Sequence, residues 1–407
     1  MLLRASPWLF ALLLSACAVR PPVQPPAPQA TPSPAPAQPS ESVPPPALIP
    51  TPAAAYPTLK PVGWAAVAFW QNDRVSETWS AFLHSCSTLG KRAAWQAVCS
   101  EAATMGAPDD AAARAFFERR FQPYQATQDD GSPEGIVTGY YEPLLKGDRV
   151  RTARARFPLY ATPDDLVSVE LASVYPELKS LRLRGRLVGN KLVPYPTRKE
   201  IEASGNGFRG KTIAWAEDPV DLFFLQIQGS GRIEMPDGAH LRVGYADQNG
   251  HPYQSVGKLL VERGELKLEQ ASMQGIKNWG AKNPDKLSGL LASNPSFVFF
   301  RELPSELPGP LGALGVPLTG GRSIAVDPRF IPLGAPVFLA TTQPNSALPL
   351  NKLVMAQDTG SAIRGGVRAD FFWGFGDKAG ELAGRMKQRG RMWVLLPKDY
   401  PLATVRR

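Results

Sequence analysis

From about residue 131 onward, short apolar runs are separated by Gly, Pro, Asn and Asp, and this spacing limits the folds open to the chain. Runs of roughly four to eight residues bounded by such breakers predict short β-strands. The clearest examples are 212–216, 221–228, 240–245, 297–300, 336–339 and 392–396. The runs show no regular strand–helix–strand rhythm, so a doubly wound parallel sheet is not expected. The pattern favours a β-barrel or a β-sandwich.

Helical periodicity precedes these runs. Apolar residues recur at helical spacing over 79–86 and again over 95–102. Asp109 is a suitable N-cap for a helix over 111–121. Further helices are expected at 199–203, 258–294 and 378–388. The sequence therefore predicts a mainly β protein with an α-helical N-terminal segment.

The first residues resemble an export signal. A short basic start is followed by an apolar run over 9–14, which is too short to span a bilayer. The tetrapeptide Leu14-Ser15-Ala16-Cys17 resembles a bacterial lipobox, which predicts a signal peptide over 1–16 and a lipid on Cys17. Ala18 stands where Asp would hold such a lipoprotein at the inner membrane, so we expect an outer-membrane anchor facing the periplasm. An ordinary secretory signal with an incidental cysteine is the alternative.

Residues 17–62 are rich in Pro, Ala, Ser and Gln. Such a segment cannot bury a core, and it predicts a disordered, extended tether. At ~3 Å per residue, about 40 residues would reach up to ~120 Å. Farther along, Cys86 and Cys99 could pair in an oxidising periplasm, or they could be two small buried hydrophobic residues.

Composition and motifs narrow the functional classes. The net charge of +9 suits an anionic polymer or membrane surface, or simply a basic exterior, but no dense Lys/Arg run or nucleic-acid motif is present. The three histidines do not show the spacing of metal ligands. The chain also lacks the nucleophile elbow, the P-loop and the dinucleotide fingerprint. We therefore expect no metal, no organic cofactor and no nucleic-acid partner.

Two acids near the C-terminus are the strongest chemical signal. The apolar run 353–356 delivers Asp358 at a strand end, and a Gly-rich turn leads to Asp370, which is followed by three aromatic residues over 371–373. An acid beside an aromatic wall suggests a carbohydrate site. A general acid must stay neutral until it acts, and burial or the charge of Asp358 would raise the pKa of Asp370. The alternative is a capping or turn Asp.

The setting of these acids resembles a known family. Asp327, Asp358 and Asp370 look like the three-aspartate pattern of double-psi β-barrel domains. The motifs that accompany them are Thr138-Gly-Tyr-Tyr-Glu-Pro143, Gln226-Ile-Gln228-Gly-Ser-Gly-Arg232, Gly244-Tyr-Ala-Asp-Gln-Asn-Gly-His-Pro-Tyr253 and Asn294-Pro-Ser-Phe-Val-Phe-Phe300. In this order, over about 135–397, they resemble the membrane-bound lytic murein transglycosylase A family.

The resemblance implies a fold and a reaction. It implies a double-psi β-barrel over 63–142 and 293–407, interrupted by an inserted second β-barrel over 143–292, with a glycan groove between them. It also implies cleavage of the β-1,4 bond between N-acetylmuramic acid and N-acetylglucosamine in peptidoglycan, with closure of a 1,6-anhydro ring. Asp370 would be the single catalytic acid and base, and Asp358 a supporting residue that orients or polarises it.

Other residues follow from the same mapping. It places Thr138 and Tyr141 near the crossing into the insert, and Gln228 and Ser230 on the insert itself. With Asp327 these are the candidate substrate-binding residues, although each could be purely structural. Glu142 could be a second carboxylate at the groove, but a solvated residue at a strand end is the favoured interpretation. Glycan strands, outer-membrane lipid through Cys17 and a cell-wall synthesis or remodelling complex are the partners considered.

Two alternatives stay open. A hydrolase could use Asp370 as its acid and Asp358 or Glu142 as the base that activates water. A non-catalytic, expansin-like wall-binding protein could share the barrel fold, because fold alone does not establish catalysis.

Overall fold

The computed structural model describes residues 56–181, 183–360 and 362–402. The predicted signal peptide, Cys17 and most of the predicted tether lie outside these residues. Leu59–Pro61 already forms a strand, so regular structure begins before residue 63. In the part of the chain that the structure describes, no helix combines the length and the apolar character needed to cross a membrane.

The secondary structure follows the predicted change from helix to strand. The α-helices are α1 (Trp79–Leu89), α2 (Ala93–Thr104), α3 (Asp110–Arg120), α4 (Arg198–Ala203), α5 (Pro219–Gln228), α6 (Val256–Glu262), α7 (Met273–Lys282), α8 (Pro284–Ala292) and α9 (Asp377–Arg385). The strands are β1 (Leu59–Pro61), β2 (Phe121–Ala126), β3 (Gly135–Glu142), β4 (Leu144–Asp148), β5 (Phe157–Tyr160), β6 (Val167–Ser168), β7 (Arg184–Val188), β8 (Lys191–Pro194), β9 (Thr212–Ala216), β10 (Ser230–Glu234), β11 (His240–Gln248), β12 (Val298–Glu302), β13 (Ser323–Val326), β14 (Pro336–Thr342), β15 (Pro349–Asp358), β16 (Arg368–Phe375) and β17 (Lys387–Pro397). Short 3-10 helices cover Trp64–Ala66, Trp70–Asn72, Val75–Thr78, Pro176–Ser180, Gly205–Gly207 and Leu268–Gln270.

Helices α1 to α3 pack through their apolar faces on the sheet that contains strands β14 and β17. Phe82 and Phe116 share a core with Phe338 and Trp393 of the barrel strands. The side chain of Asp109 accepts a hydrogen bond from the backbone N–H of Ala112, as the predicted N-cap requires. A disulfide between Cys86 and Cys99 joins α1 to α2 and decides between the two alternatives for these cysteines.

The first sheet closes into a six-stranded barrel. Its strands run β17, β14, β15, β13, β16 and β3, and β3 pairs back onto β17. The β13–β15 and β16–β3 pairs are parallel, whereas the other pairings are antiparallel. Strands β1 and β2 extend this sheet from β17. The predicted fold class is confirmed for this part, since a closed mixed barrel is formed by segments from both ends of the folded chain.

The middle of the chain forms a second sheet with its own core. Its order is β12, β11, β10, β4, β9 and β5, and an isolated bridge between Ala161 and Phe300 links the two ends. Leu145, Ile233 and Val243 are buried inside it. Strand β12 pairs with β11, so the sheet extends past the boundary expected at residue 292. Strands β6 to β8 form a separate three-stranded sheet.

The strand predicted over 221–228 is wrong, because this segment is helix α5. The side chain of Asp218 accepts hydrogen bonds from the backbone N–H groups of Val220 and Asp221, and Pro219 occupies the first helical turn. Gly229, with φ of 80°, ends the helix in the left-handed conformation. A short continuous apolar run fits a strand or a buried helix equally well, and here the caps decide.

Candidate active site

The two C-terminal aspartates lie in one row across the first barrel. Ala325 on β13 pairs with Asp358 on β15 and with Asp370 on β16, and Asp370 pairs in turn with Thr138 on β3. Because neighbouring strands are about 4.8 Å apart, the Cα atoms of the two aspartates are separated by roughly 10 Å. Ala325, which lies between them in the row, is buried in an apolar cluster with Tyr140 and Phe372.

Strand β3 supplies one hydroxyl to each acid. The Thr138 hydroxyl donates to Oδ1 of Asp370 at 2.5 Å, and the Tyr140 hydroxyl donates to Oδ2 of Asp358 at 3.0 Å. Thr138 and Tyr140 share a face because side chains alternate along a strand. Nη2 of Arg368 donates to the Thr138 hydroxyl oxygen at 2.9 Å and so completes a chain of donors that ends at Asp370.

The two carboxylates differ in how many donors they meet. Oδ1 of Asp358 accepts from the backbone N–H groups of Ala313 and Thr359, both at 2.9 Å, while Tyr140 occupies Oδ2. Both oxygens of Asp358 are therefore engaged. Thr138 is the donor to Asp370 within the described ranges, and it reaches Oδ1 alone. Asp370 thus keeps one oxygen for a ligand, and its half-buried side chain leaves that oxygen reachable.

Burial raises the pKa of both acids. Desolvation raises the pKa of Asp358 to about 6, and the charge of Asp370 adds to this shift against the three hydrogen bonds that oppose it. Burial also raises the pKa of Asp370 above its usual range, although the Thr138 hydroxyl and the Arg368 charge oppose the rise. Two interacting carboxyls with raised pKa values favour a state in which the site holds a proton.

The predicted aromatic wall is wrong. Phe371 and Phe372 are buried in the cores on either side of β16, and Phe372 packs against Tyr140 with ring centroids 5.1 Å apart. Trp373 packs on Phe371 and donates to Sδ of Met386. Because side chains alternate along a strand, successive aromatics could not all face Asp370. These rings therefore pack against other side chains of the barrel and do not form a stacking surface beside Asp370.

Among the residues predicted at the crossing into the insert, Tyr141 and Gln228 contact each other. Oε1 of Gln228, at the end of α5, accepts from the backbone N–H of Tyr141 at 3.3 Å, and the Tyr141 hydroxyl lies 3.4 Å from Sδ of Met273 on α7. Ser230 begins β10 directly after the turn that ends α5. Tyr141, Gln228 and Ser230 are half-buried where the two barrels join.

Asp327 lies apart from this group. Its carboxylate accepts from the guanidinium of Arg329, with a closest distance of 2.6 Å, and from the backbone N–H of Gly365 at 3.0 Å. The residue is fully buried, and these hydrogen bonds lower the pKa of its carboxyl in spite of burial. The structure thus gives Asp327 the role of holding the loop before β16, which argues against the predicted contact with substrate.

The favoured interpretation of Glu142 as a solvated strand-end residue is wrong. Its side chain is 1% exposed and accepts from Arg232 at 3.0 Å and from Arg242 at 3.4 Å. The two guanidiniums compensate the buried charge at the point where β3 passes into the insert. Glu142 is therefore a structural carboxylate.

Two further members of the site, Tyr140 and Arg368, were not predicted from the sequence. Each lies two residues from a predicted member, Tyr140 after Thr138 on β3 and Arg368 before Asp370 on β16. Strand alternation would have placed each on the same face as its neighbour, so the signal was available. In the described ranges no group of three His, Cys, Asp or Glu side chains is arranged to hold a metal ion.

Comparisons with known proteins agree with this geometry. The family model described as the MltA specific insert domain matches residues 136–301, and the 3D domain model matches residues 322–396. Membrane-bound lytic murein transglycosylase A of Escherichia coli K12 is 35% identical over 265 residues, which are 63% of this chain and 64% of that relative's length.

Solved structures cover more of the chain. The crystal structure of MltA from Neisseria gonorrhoeae is 44% identical and superimposes with a TM-score of 0.76 over 87% of this chain and 97% of its own. That of E. coli MltA with bound chitohexaose is 27% identical, with a TM-score of 0.60 over 84% and 94%. Of the row of acids, Thr138 falls inside the match to the insert model, and Ala325, Asp358 and Asp370 fall inside the match to the 3D domain model. The chain belongs to the membrane-bound lytic murein transglycosylase A family.

Proposed function

We propose that the protein is a peptidoglycan lytic transglycosylase that cleaves the β-1,4 bond between N-acetylmuramic acid and N-acetylglucosamine and leaves a 1,6-anhydromuramoyl end. The observation that carries this proposal is that the two acids meet different numbers of hydrogen-bond donors. Asp370 has a raised pKa and one oxygen without a donor in the described part of the chain, whereas three donors occupy Asp358. Of the two acids, only Asp370 therefore has a carboxylate oxygen that is available to exchange a proton with a ligand.

One carboxyl suffices for this reaction. Neutral Asp370 gives its proton to the glycosidic oxygen as the bond from that oxygen to C1 of the muramoyl sugar breaks. The carboxylate then takes the proton of the C6 hydroxyl as its oxygen bonds to C1, which restores neutral Asp370 without consuming water. Intramolecular attack has a high effective molarity, which removes up to about 7–11 kcal/mol of barrier in favourable cases.

Asp358 and the β3 hydroxyls position this acid. The hydrogen bond from Thr138 occupies Oδ1 of Asp370, so the transferable proton resides on Oδ2. The Tyr140 hydroxyl fixes Asp358 in the same row, where the charge of Asp370 raises the pKa of Asp358. Because this interaction is mutual, a charged Asp358 also disfavours the ionisation of Asp370. Asp358 therefore acts on Asp370 and not on the substrate.

Substrate contacts are proposed at the junction of the barrels. Thr138, Tyr141, Gln228 and Ser230 are all half-buried, so each retains accessible surface beside the acid or at the crossing. Asp327 is left out of this set because Arg329 and Gly365 already occupy its buried carboxylate. The E. coli MltA structure with bound chitohexaose supports a glycan as the ligand.

Membrane attachment is proposed through a lipid on Cys17, at the outer membrane and facing the periplasm. The lipobox-like tetrapeptide supports the modification, and the name of the E. coli relative describes that protein as membrane-bound. The Pro-rich segment that follows would let the barrels reach glycan strands away from the membrane.

Mass spectrometry of digested peptidoglycan tests the reaction type. We expect muropeptides with 1,6-anhydromuramoyl ends, each lighter by one water than a hydrolysis product. Reducing ends would instead establish a hydrolase, for which the structure offers a poor base because Glu142 is buried between arginines. A protein that pelleted with cell-wall sacculi but released no soluble muropeptides would be a wall-binding protein.

A further inference from the structure

A second cleft, with a volume of about 980 Å³, lies in the middle segment of the chain. Strands β5 and β9 form one wall, and helices α4, α5, α7 and α8 contribute to the other. Neither Asp358 nor Asp370 lines it, so it is distinct from the row of acids. The mechanism proposed above does not use this cleft.

One wall of the cleft presents two guanidiniums that lack acidic partners. The Arg151 guanidinium lies 5.7 Å from the ring centroid of Trp215, and that of Arg156 lies 5.6 Å from the ring centroid of Phe157. Both arginines are exposed, and neither forms an ion pair with a described carboxylate. Guanidiniums held on aromatic faces recognise carboxylates in a fixed geometry. This wall suits an anionic ligand with apolar parts.

The remaining cations of the cleft are already neutralised. Nζ of Lys277 lies 2.5 Å from Asp221, and Nη1 of Arg198 lies 3.3 Å from Glu202. Glu217 also lines the cleft, and its carboxylate forms no ion pair within the described ranges. Nζ of Lys277 also lies 3.7 Å from Asp218, which lines the cleft, so one cation faces two carboxylates. The charges left over are thus two guanidiniums and two carboxylates, one of them Glu217. A ligand that carries carboxylates and an amine, as a short peptide does, matches this set.

The floor of the cleft is rigid. Arg198 is 3% exposed and lies between the rings of Phe223 and Phe297, whose centroids are 4.8 and 5.0 Å from its guanidinium carbon. It also donates to the carbonyl of Ser296 at 2.8 Å and to the side chain of Gln226. Such a floor keeps the cleft open without a ligand, which reduces the cost of ordering on binding.

Two helices link this cleft to the proposed catalytic groove. On α7, Met273 contacts the Tyr141 hydroxyl, and Lys277, one turn later, lines the cleft. On α5, Gln228 holds the Tyr141 backbone, and Phe223, five residues earlier, lines the cleft. Since a helical turn rises about 5.4 Å, the cleft begins within roughly 10 Å of Tyr141. A peptide of about four residues spans roughly 13 Å when extended.

We infer that this cleft binds the stem peptide that peptidoglycan carries on its muramoyl sugars. The inference rests on the proposed function, because the glycan must lie at Tyr141 for its peptide to reach the cleft. The carboxylates of the peptide pair with Arg151 and Arg156, and its apolar side chains contact Trp215 and Phe157. The enzyme then favours glycan that still bears peptides.

The test compares two substrates and two variants. The double variant Arg151→Ala/Arg156→Ala removes the free cations, whereas Arg154→Ala removes an exposed arginine of the same loop that does not line the cleft. Each is assayed on peptide-bearing glycan and on glycan stripped of peptides by an amidase. We expect the double variant to lose about tenfold or more in kcat/KM on the peptide-bearing substrate. Its rate on stripped glycan, and both rates of Arg154→Ala, should equal those of the wild type.

Equal losses on both substrates, or no loss on either, would overturn the peptide site. Failure of the proposed function looks different, because the wild-type protein would then release no anhydromuramoyl products from either substrate. Calorimetric titration with a free synthetic stem tetrapeptide adds a readout that is independent of turnover. Binding to the wild type that disappears in the double variant supports the site, and the absence of heat with the wild type counts against it.

Discussion

Residues Asp358 and Asp370 illustrate how two acids in one row acquire different roles. Burial raises the pKa of both, yet Asp358 meets donors on both oxygens and Asp370 on one. A carboxyl that must exchange a proton with a ligand needs a free oxygen in reach of it. The difference between the acids therefore arises from the hydrogen bonds around them.

The coupling between these acids predicts a pH effect. The interaction that helps to raise the pKa of Asp358 to about 6 is mutual, so a charged Asp358 in turn helps Asp370 to keep the proton that catalysis needs. Asp358→Asn removes that charge. We expect the alkaline limb of kcat against pH to move to lower pH, by about one unit. The control Asp285→Asn changes an exposed residue on α8, and its profile should match the wild type. An alkaline limb that stays in place in Asp358→Asn would refute the coupling.

Much of the site could be predicted from the sequence, but the side chains that contact its residues across the fold could not. Asp358, Asp370 and Thr138 were predicted and lie in one row. The aromatic wall was wrong because adjacency in sequence ignores strand alternation, which sends Phe371 and Phe372 into separate cores. Glu142 was misjudged because Arg232 and Arg242, 90 and 100 residues away in sequence, meet it only in the fold.

Strand β3 is the element that joins catalysis to the insert. It carries Thr138 and Tyr140 to the acids, and it ends at Glu142 between the two arginines. Gly139 permits this course, because a Cβ there would lie 2.6 Å from Nε1 of Trp373. The end of β3 therefore connects the first barrel to the second, through the contacts of Glu142 with strands β10 and β11.

Removing the Glu142 charge tests this junction. In Glu142→Gln the buried Arg242 and the half-buried Arg232 lose their counter-charge, so we expect a loss of about 3 kcal/mol in the free energy of unfolding. The matched control is Glu134→Gln, which breaks the exposed pair with Arg391 and should cost less than about 1 kcal/mol. Denaturant unfolding followed by circular dichroism measures both. Equal, small effects would show that the buried cluster does not stabilise the junction.

Helix α5 shows why some elements could not be assigned from sequence. The run 221–228 has few polar interruptions, so neither a period of two nor a period of 3.6 stands out. Asp218, Pro219 and Gly229 carried the helical signal in their capping positions. By contrast, α1 to α3 were predictable because their apolar spacing and the Asp109 cap agreed.

At the scale of the whole molecule, the chain joins two barrels to a predicted lipid-bearing N-terminus. The resemblance identified a closed barrel with an insert, which periodicity alone could not have done because strand pairings such as β16 with β3 join distant segments. Periodicity established only that short strands follow helices.

Replacing the predicted lipidated cysteine tests the attachment. Cys17→Ala removes the thiol that would carry the lipid, and without an acyl chain the membrane affinity of the protein should fall sharply. We expect the variant in the soluble periplasmic fraction, measured by fractionation and immunoblotting, with its activity on isolated peptidoglycan retained. A variant that stayed with the membranes would show that attachment does not depend on Cys17.

The most direct test of the account is the rate at which Asp370→Asn releases anhydromuramoyl products from peptidoglycan. Asparagine keeps the shape and the acceptor oxygen for Thr138 but cannot give or take the proton, so we predict a rate about a thousandfold below the wild type. Thermal unfolding and sacculus binding should remain as in the wild type. A rate close to that of the wild type would contradict the assignment of Asp370 as the acid and base.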